Sequence, residues 1–267
     1  MSNRMEGRVV IITGASSGIG LATAQELARR KARLVLVSRR GTAEGVADAE
    51  TLHMQLDLTL RESVETMIRT AHERFGRIDV LINNAGFGFF GSLESTPPEI
   101  VRDIMALNFE APLFASQLVI PIMKAQRSGH ILNVSSVAGK RGLPLSGIYS
   151  ASKFALDGLT QSLRMELEGT GVEVSLVNPS ATETQFFGSI RRGDVNAGRY
   201  KPLGRVQSAE DVAKSIVKCL EYPKREVYPQ PLGVFVTWGN ALVPSLVDIV
   251  VRRALRERMR ARVALPS

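Results

Sequence analysis

Short apolar runs rich in valine, isoleucine and leucine alternate along this chain with longer stretches whose apolar residues recur at helical spacing. Arg8-Val9-Val10-Ile11-Ile12-Thr13 and Arg33-Leu34-Val35-Leu36-Val37-Ser38 read as strands buried on both faces. Leu52–Gln55, Asp79–Ile82, His130–Val134 and Glu173–Val177 extend the series to six. Leu21–Arg30, Arg61–Arg74, Pro98–Met123 and Ser150–Glu168 read as the helices between them. A repeated strand–helix–strand order requires crossovers, which are right-handed and lay helices on both faces of a parallel sheet. The expectation is an α/β fold: one doubly wound domain with a parallel sheet over residues 1–236, followed by a C-terminal helical extension over 237–267.

The extension reads as one amphipathic helix over residues 240–262. Leu242, Leu246, Val250 and Ala254 form one row, and Val243, Val247, Val251, Leu255 and Met259 the next. Such a stripe covers something: the substrate pocket, another subunit, or an anionic membrane surface. Packing is the plainer reading, and peripheral membrane contact the lesser one. The chain carries a formal net charge of +8. Residues 252–262 hold six arginines and one glutamate, a local +5, so the rest of the chain is only +3. A basic tail on a near-neutral body is not the footprint of a nucleic-acid-binding face, and no nucleic-acid partner is expected.

The glycine cluster changes the picture most. Thr13-Gly14-Ala15-Ser16-Ser17-Gly18-Ile19-Gly20 follows the first strand directly and opens a helix. Gly14, Ser16, Ser17, Gly18, Ile19 and Gly20 then line a tight turn whose amides, with the helix N-terminus, suit a pyrophosphate. The expected ligand is a dinucleotide. An acidic residue ending the second strand would serve the free ribose hydroxyl of NAD. This chain has Ser38-Arg39-Arg40 there instead, and guanidinium groups suit a 2′-phosphate, so NADP(H) is the expected cofactor.

Further motifs fall in a fixed order: Asp57 before Leu58-Thr59, Asn83-Asn84-Ala85-Gly86, Asn108, Ser136, Tyr149-Ser150-Ala151-Ser152-Lys153, and Asn178-Pro179. With the Thr13–Gly20 loop they resemble the short-chain dehydrogenase/reductase superfamily over roughly residues 6–230. The resemblance implies a single Rossmann-like domain, assembled as a homodimer or homotetramer through two long helices, here Pro98–Met123 and Ser150–Glu168. It implies that Asp57, with Leu58, holds the adenine ring. Asn84, Ala85 and Gly86 would support sheet and cofactor, while Pro179 and Thr184 would meet the nicotinamide. One departure stands out, because Ser180 replaces the glycine that usually follows this proline.

Tyr149 and Lys153 lie four residues apart on a helix and so share a face. A tyrosine phenolate near pH 7 lies about 4 kcal/mol uphill, from an ordinary pKa of about 10. An ammonium ~4 Å away offers about 4 kcal/mol at an effective dielectric near 20. Tyr149 can therefore act as the acid/base, with Lys153 beside it. The resemblance further implies that Ser136 steadies the substrate oxygen and that Asn108 anchors a water passing protons to Lys153. Ser135 competes for the former role, but the thirteen-residue spacing to Tyr149 selects Ser136.

On the substrate side, Ser180–Arg205 reads as a lid carrying Phe186 and Phe187. With Phe87 and Leu143 these residues either line a pocket for a lipophilic carbonyl or simply pack the lid. The expected function is NADP(H)-dependent interconversion of a carbonyl and a secondary alcohol on a steroid, retinoid or lipid ketone. The alternatives are a 3-oxoacyl-thioester reductase and, in another class, a non-catalytic NADP(H)-sensing or scaffold protein. Cys219 is the only cysteine, and His53, His72 and His130 lack zinc-like spacing, so no metal is expected. Met1–Arg8 lacks the apolar core of a secretion signal. Asn240, Pro244 and Asp248 interrupt the apolar window Leu232–Val251, which argues against a spanning helix, and the expected location is cytoplasmic.

Overall fold

The computed structural model describes residues 4–40, 44–46, 49–183, 190–193 and 206–260. Its centre is a sheet of seven strands. They are β1 (Val9–Thr13), β2 (Arg33–Ser38), β3 (Thr51–Gln55), β4 (Val80–Asn83), β6 (Gly129–Val134), β7 (Val172–Val177) and β11 (Glu226–Val227). The order across the sheet is β3-β2-β1-β4-β6-β7-β11, with every neighbouring pair parallel. The six strands read from the sequence are all present. The seventh, β11, is only two residues long, too short to leave a periodic signal.

The apolar runs are continuous because both faces of each central strand are covered. Val10 and Ile12 of β1 point into one core with Leu27 of α1 (Gly18–Ala28) and with Val212 and Ile216 of α6 (Ala209–Glu221). Val9 and Ile11 point into the other core. They meet Val64 and Met67 of α2 (Arg61–Phe75), Val119 and Met123 of α4 (Ala111–Gln126), and Leu163 of α5 (Gly147–Glu166).

The long helix expected over Pro98–Met123 is interrupted. It runs as α3 (Pro98–Met105), a π-helical turn at Ala106–Glu110, and then α4. Pro112 has no amide hydrogen, so the bond it would make to the carbonyl of Asn108, four residues back, cannot form. By length and composition this helix is apolar enough to cross a membrane. Here Ile104, Val119 and Met123 are wholly buried in the protein's own cores.

Short strands complete the rim: β5 (Phe89–Phe90) pairs with β9 (Arg191–Arg192), and β8 (Thr182–Glu183) with β10 (Gln207–Ser208). The C-terminal extension departs from expectation. Instead of one helix over 240–262 there are two, α7 (Pro231–Leu242) and α8 (Pro244–Arg260). Pro244 cannot continue a helix from Val243 but is well placed in the first turn of the next. The helical extension therefore begins at Pro231, and α7 runs across the 236/237 boundary.

Candidate active site

The chain steps from β1 outward to β3, then returns to β4 on the other side of β1. Ligands of such sheets bind at the carboxyl ends of the strands where the order reverses. There the Thr13 hydroxyl accepts from the amides of Asn84 (2.9 Å) and Ala85 (3.0 Å), and the Asn84 side chain donates to the Thr13 carbonyl at 2.9 Å. Gly14 has φ +69°, and a Cβ there would stand 2.9 Å from the Ala85 Cα; at Gly20 it would run into the Gly14 carbonyl. Side chains are excluded from both positions, so the loop stays closed against the Asn84–Ala85 turn.

The first turn of α1 contains no acidic residue, and Ser17, its N-cap, makes no capping bond. The Ser17 hydroxyl accepts instead from Arg40 Nη2 at 3.0 Å. Leading amides of a helix without a side-chain cap require another acceptor, and a phosphate group fits that need. Beside this loop, Arg39 and Arg40 are exposed just past β2. Burial would raise the Asp57 pKa, but the Thr59 amide and hydroxyl and the Arg39 charge together hold it below its ordinary value. Asp57, two residues past β3, is thus an ionised acceptor within reach of the Arg39 charge, while Leu58 packs into the core.

The chemistry gathers between β6, the π-helical turn and α5. Lys153 is 5% exposed, its Nζ donates to the Val134 carbonyl at 2.9 Å, and it lies 5.9 Å from the centre of the Tyr149 ring. Desolvation lowers the Lys153 pKa to about 8, with the Asp157 charge opposing that fall. Asn108 is fully buried. Its oxygen accepts from the Phe87 amide (3.1 Å), and its nitrogen donates to the Phe87 carbonyl (3.0 Å) and to Ser152 Oγ (3.1 Å). Ser152 donates in turn to the Tyr149 carbonyl at 2.8 Å. Asn108 therefore ties the segment after Gly86 to the helix that carries Tyr149. A Cβ at Gly86 would come within 2.9 Å of the Asn108 oxygen, so this turn also admits only glycine.

The two serines after β6 have different work. Ser135, buried, donates to Asp157 Oδ1 at 2.5 Å. Ser136 is half-buried, and its oxygen accepts from the Ala138 amide at 3.1 Å, which leaves its hydroxyl proton directed elsewhere. Of the two serines, Ser135 is committed to Asp157, and Ser136, which the spacing to Tyr149 selects, keeps a hydroxyl proton that the Ala138 bond does not use.

Sequence reasoning passed over the polar cluster behind the site. Asp157 pairs with Lys140 at 3.0 Å, Lys140 bonds Glu226 at 2.9 Å, and Tyr228 donates to Glu226 at 2.8 Å. Burial raises the Asp157 pKa, against the opposing effects of Ser135 and Lys140. The one available signal was position, since Asp157 stands one turn beyond Lys153 on the same face of α5.

Phe87 and Leu143 differ in their surroundings. Phe87 is 7% exposed in a small cluster with Phe89, Ile100 and Ile104, under the Arg191 guanidinium at 4.7 Å. Leu143 is half-buried, with its amide bonded to Ser150 Oγ at 3.3 Å. The Pro179 carbonyl accepts from the Val137 amide, and the Ser180 hydroxyl donates to Gln230 at 2.6 Å, so the serine that departs from the family pattern anchors this segment. Asn178 is 1% exposed, and neither polar atom of its side chain is bonded among the described residues, a need that a polar ligand group would meet. Thr184, Phe186 and Phe187 lie outside the described residues.

A helix end without a side-chain cap at the switch point, with Ser136 after β6 and Tyr149 and the buried Lys153 on α5, is the arrangement of a nicotinamide-dependent oxidoreductase. The model of the short chain dehydrogenase family matches residues 8–194, and the chain belongs to that family. It is 36% identical over 244 residues to retinol dehydrogenase 8 of Bos taurus, covering 80% of this chain and 78% of that protein. Among solved structures, a metagenomic short-chain oxidoreductase in complex with NADP superposes with a TM-score of 0.70 at 31% identity, covering 86% of this chain and 99% of that one. A short-chain dehydrogenase/reductase from Burkholderia phymatum in complex with NAD superposes at 0.79 with 27% identity, covering 92% and 96%.

Proposed function

We propose that this chain interconverts a carbonyl and a secondary alcohol on a lipophilic substrate, using NADP(H), with Tyr149 as acid/base. The observation that carries the reading is the buried Lys153 ammonium beside the Tyr149 ring, together with a Ser136 hydroxyl whose oxygen caps the following turn and whose proton that cap does not use. A charge about 6 Å from the ring stabilises a phenolate by about 3 kcal/mol at an effective dielectric near 20. In the reductive direction Ser136 donates a hydrogen bond to the carbonyl oxygen, and Tyr149 delivers its proton there as charge develops. Lys153 holds the resulting phenolate, and Asn108, through Ser152, keeps the Tyr149 turn in place.

The bound nicotinamide supplies the hydride chemistry. The Gly14–Gly20 loop would hold its pyrophosphate and Asp57 its adenine side. Arg39 and Arg40, exposed just past β2, support NADP(H), because guanidinium groups suit a 2′-phosphate. The retinol dehydrogenase relative supports a bulky apolar substrate. Assembly as a homo-oligomer through α4 and α5 is part of the same reading, and Phe154, exposed at 46% on α5, suits such a contact.

The test is a panel of hydrophobic ketones followed by NADPH absorbance, with NADH in parallel. On a proven substrate Tyr149→Phe should retain NADPH binding and lose turnover by about 10²–10⁴-fold. A variant within a few-fold of the parent refutes the mechanism.

A further inference from the structure

Of the thirteen large apolar side chains exposed among the described residues, seven fall within residues 235–250. Phe235, Trp238 and Leu242 are exposed at 72%, 66% and 74% and share one face of α7 at spacings of three and four. Leu246, Ile249 and Val250 continue the patch on α8. The opposite sides are occupied. Asn240 donates to the Lys140 carbonyl and accepts from Arg141, Arg141 pairs with Asp248, and Val247 and Val251 are half-buried. The two helices are thus fastened to the segment between Ser136 and Tyr149 with their apolar faces turned outward.

Charge decides what those faces meet. Arg252 and Arg253 are exposed immediately beyond Val250, and residues 252–262 carry six arginines against one glutamate. Within residues 231–260 the acids are Asp248, already paired with Arg141, and Glu257. A second copy of this surface therefore brings only Glu257, beyond the paired Asp248, against the six arginines. Anionic headgroups supply the complement, and an aromatic and aliphatic face beside clustered arginines matches the layered polarity of a lipid surface. We propose that α7 and α8 dock the protein on anionic membranes, with Phe235, Trp238, Leu242, Leu246, Ile249 and Val250 entering the boundary between headgroups and acyl chains. This does not rest on the proposed reaction.

Trp238 is the chain's single tryptophan, so its emission reports on the patch alone. The full chain is mixed with vesicles of phosphatidylcholine, or of equal parts phosphatidylcholine and phosphatidylglycerol, and read by tryptophan emission and flotation. Expected are a blue shift and co-flotation with the anionic vesicles, reversed by high salt. Arg252→Gln with Arg253→Gln should weaken partitioning by about fivefold per arginine. Phe235→Ser, Leu242→Ser and Ile249→Ser together keep Trp238 and should abolish the shift; all three side chains are exposed, so the melting temperature should hold. Three results overturn the proposal. One is an unshifted emission and no flotation with anionic vesicles. Another is emission already blue in buffer that reddens on dilution, which makes the face a contact between copies. The third is undiminished binding by the triple-serine variant.

Discussion

Asp157→Asn is the most informative single change, because it removes one charge and almost no volume. The amide oxygen of the variant would still accept the Ser135 hydroxyl, so the fold behind β6 keeps its shape. What is lost is the carboxylate between Lys140 and Lys153, two lysines whose side chains lie largely inside the protein. Breaking a buried ion pair costs about 3–5 kcal/mol, but Lys140 retains Glu226 at 2.9 Å, so about 2–3 kcal/mol is the expected loss. For a chain of this size that corresponds to a melting temperature about 4–6 °C lower. The charges facing Asp157 are Lys140, Lys153 and Glu226, and its removal acts on Lys153 in a definite direction. Burial lowers the Lys153 pKa to about 8 and Asp157 resists that fall. Without the carboxylate Lys153 loses its proton at a lower pH, and the alkaline limb of the kcat/KM profile should move down with it. Urea titration and a pH–rate series on the same preparation measure both effects. A variant that melts within a degree or so of the parent, with its alkaline limb unmoved, refutes the reasoning.

The adjacent serines should separate stability from catalysis. Ser135→Ala strips a hydrogen bond from a buried carboxylate and should cost about 1.5–3 kcal/mol of stability, while Ser136→Ala loses only its capping bond from the Ala138 amide, about 1 kcal/mol or less, and should lose about 10²–10³ in kcat. Equal effects on both measurements would remove the assignment. Arg39→Asp should lower kcat/KM for NADPH by about 10–100-fold and raise the relative use of NADH, read from paired assays at fixed substrate. His130 is buried with Nε2 2.8 Å from Ser175 Oγ, whose own proton goes to the Lys224 carbonyl, so the ring donates and stays neutral. Burial, with Arg8 adding to it, lowers the His130 pKa to about 4. Between pH 6.5 and 4 the unfolded chain therefore binds the extra proton, and stability should fall by about 3 kcal/mol as pH drops through that window. Urea unfolding at several pH values should show His130→Gln flattening that slope.

Local rules carried the sequence reading a long way. Uninterrupted Val/Ile/Leu runs specify strands covered on both faces, and a glycine-rich turn at a strand–helix junction specifies a phosphate site. Those features depend on a few neighbouring residues, so the strands, the glycine-rich turn before α1 and the shared helix face of Tyr149 and Lys153 were legible. Other features depend on residues far apart in the chain and were not. The π-helical turn follows from Pro112 acting on Asn108, but its use comes from Phe87 and Ser152 on other elements. The separation of α7 from α8 at Pro244 was visible as a proline and missed as a break, because an apolar stripe ran through it. The division of labour between Ser135 and Ser136 exists only because α5 brings Asp157 under β6. Pairing of buried charges is a tertiary event: a lone carboxylate in the sequence carries no sign of which lysine it will face, and only the packed structure decides that.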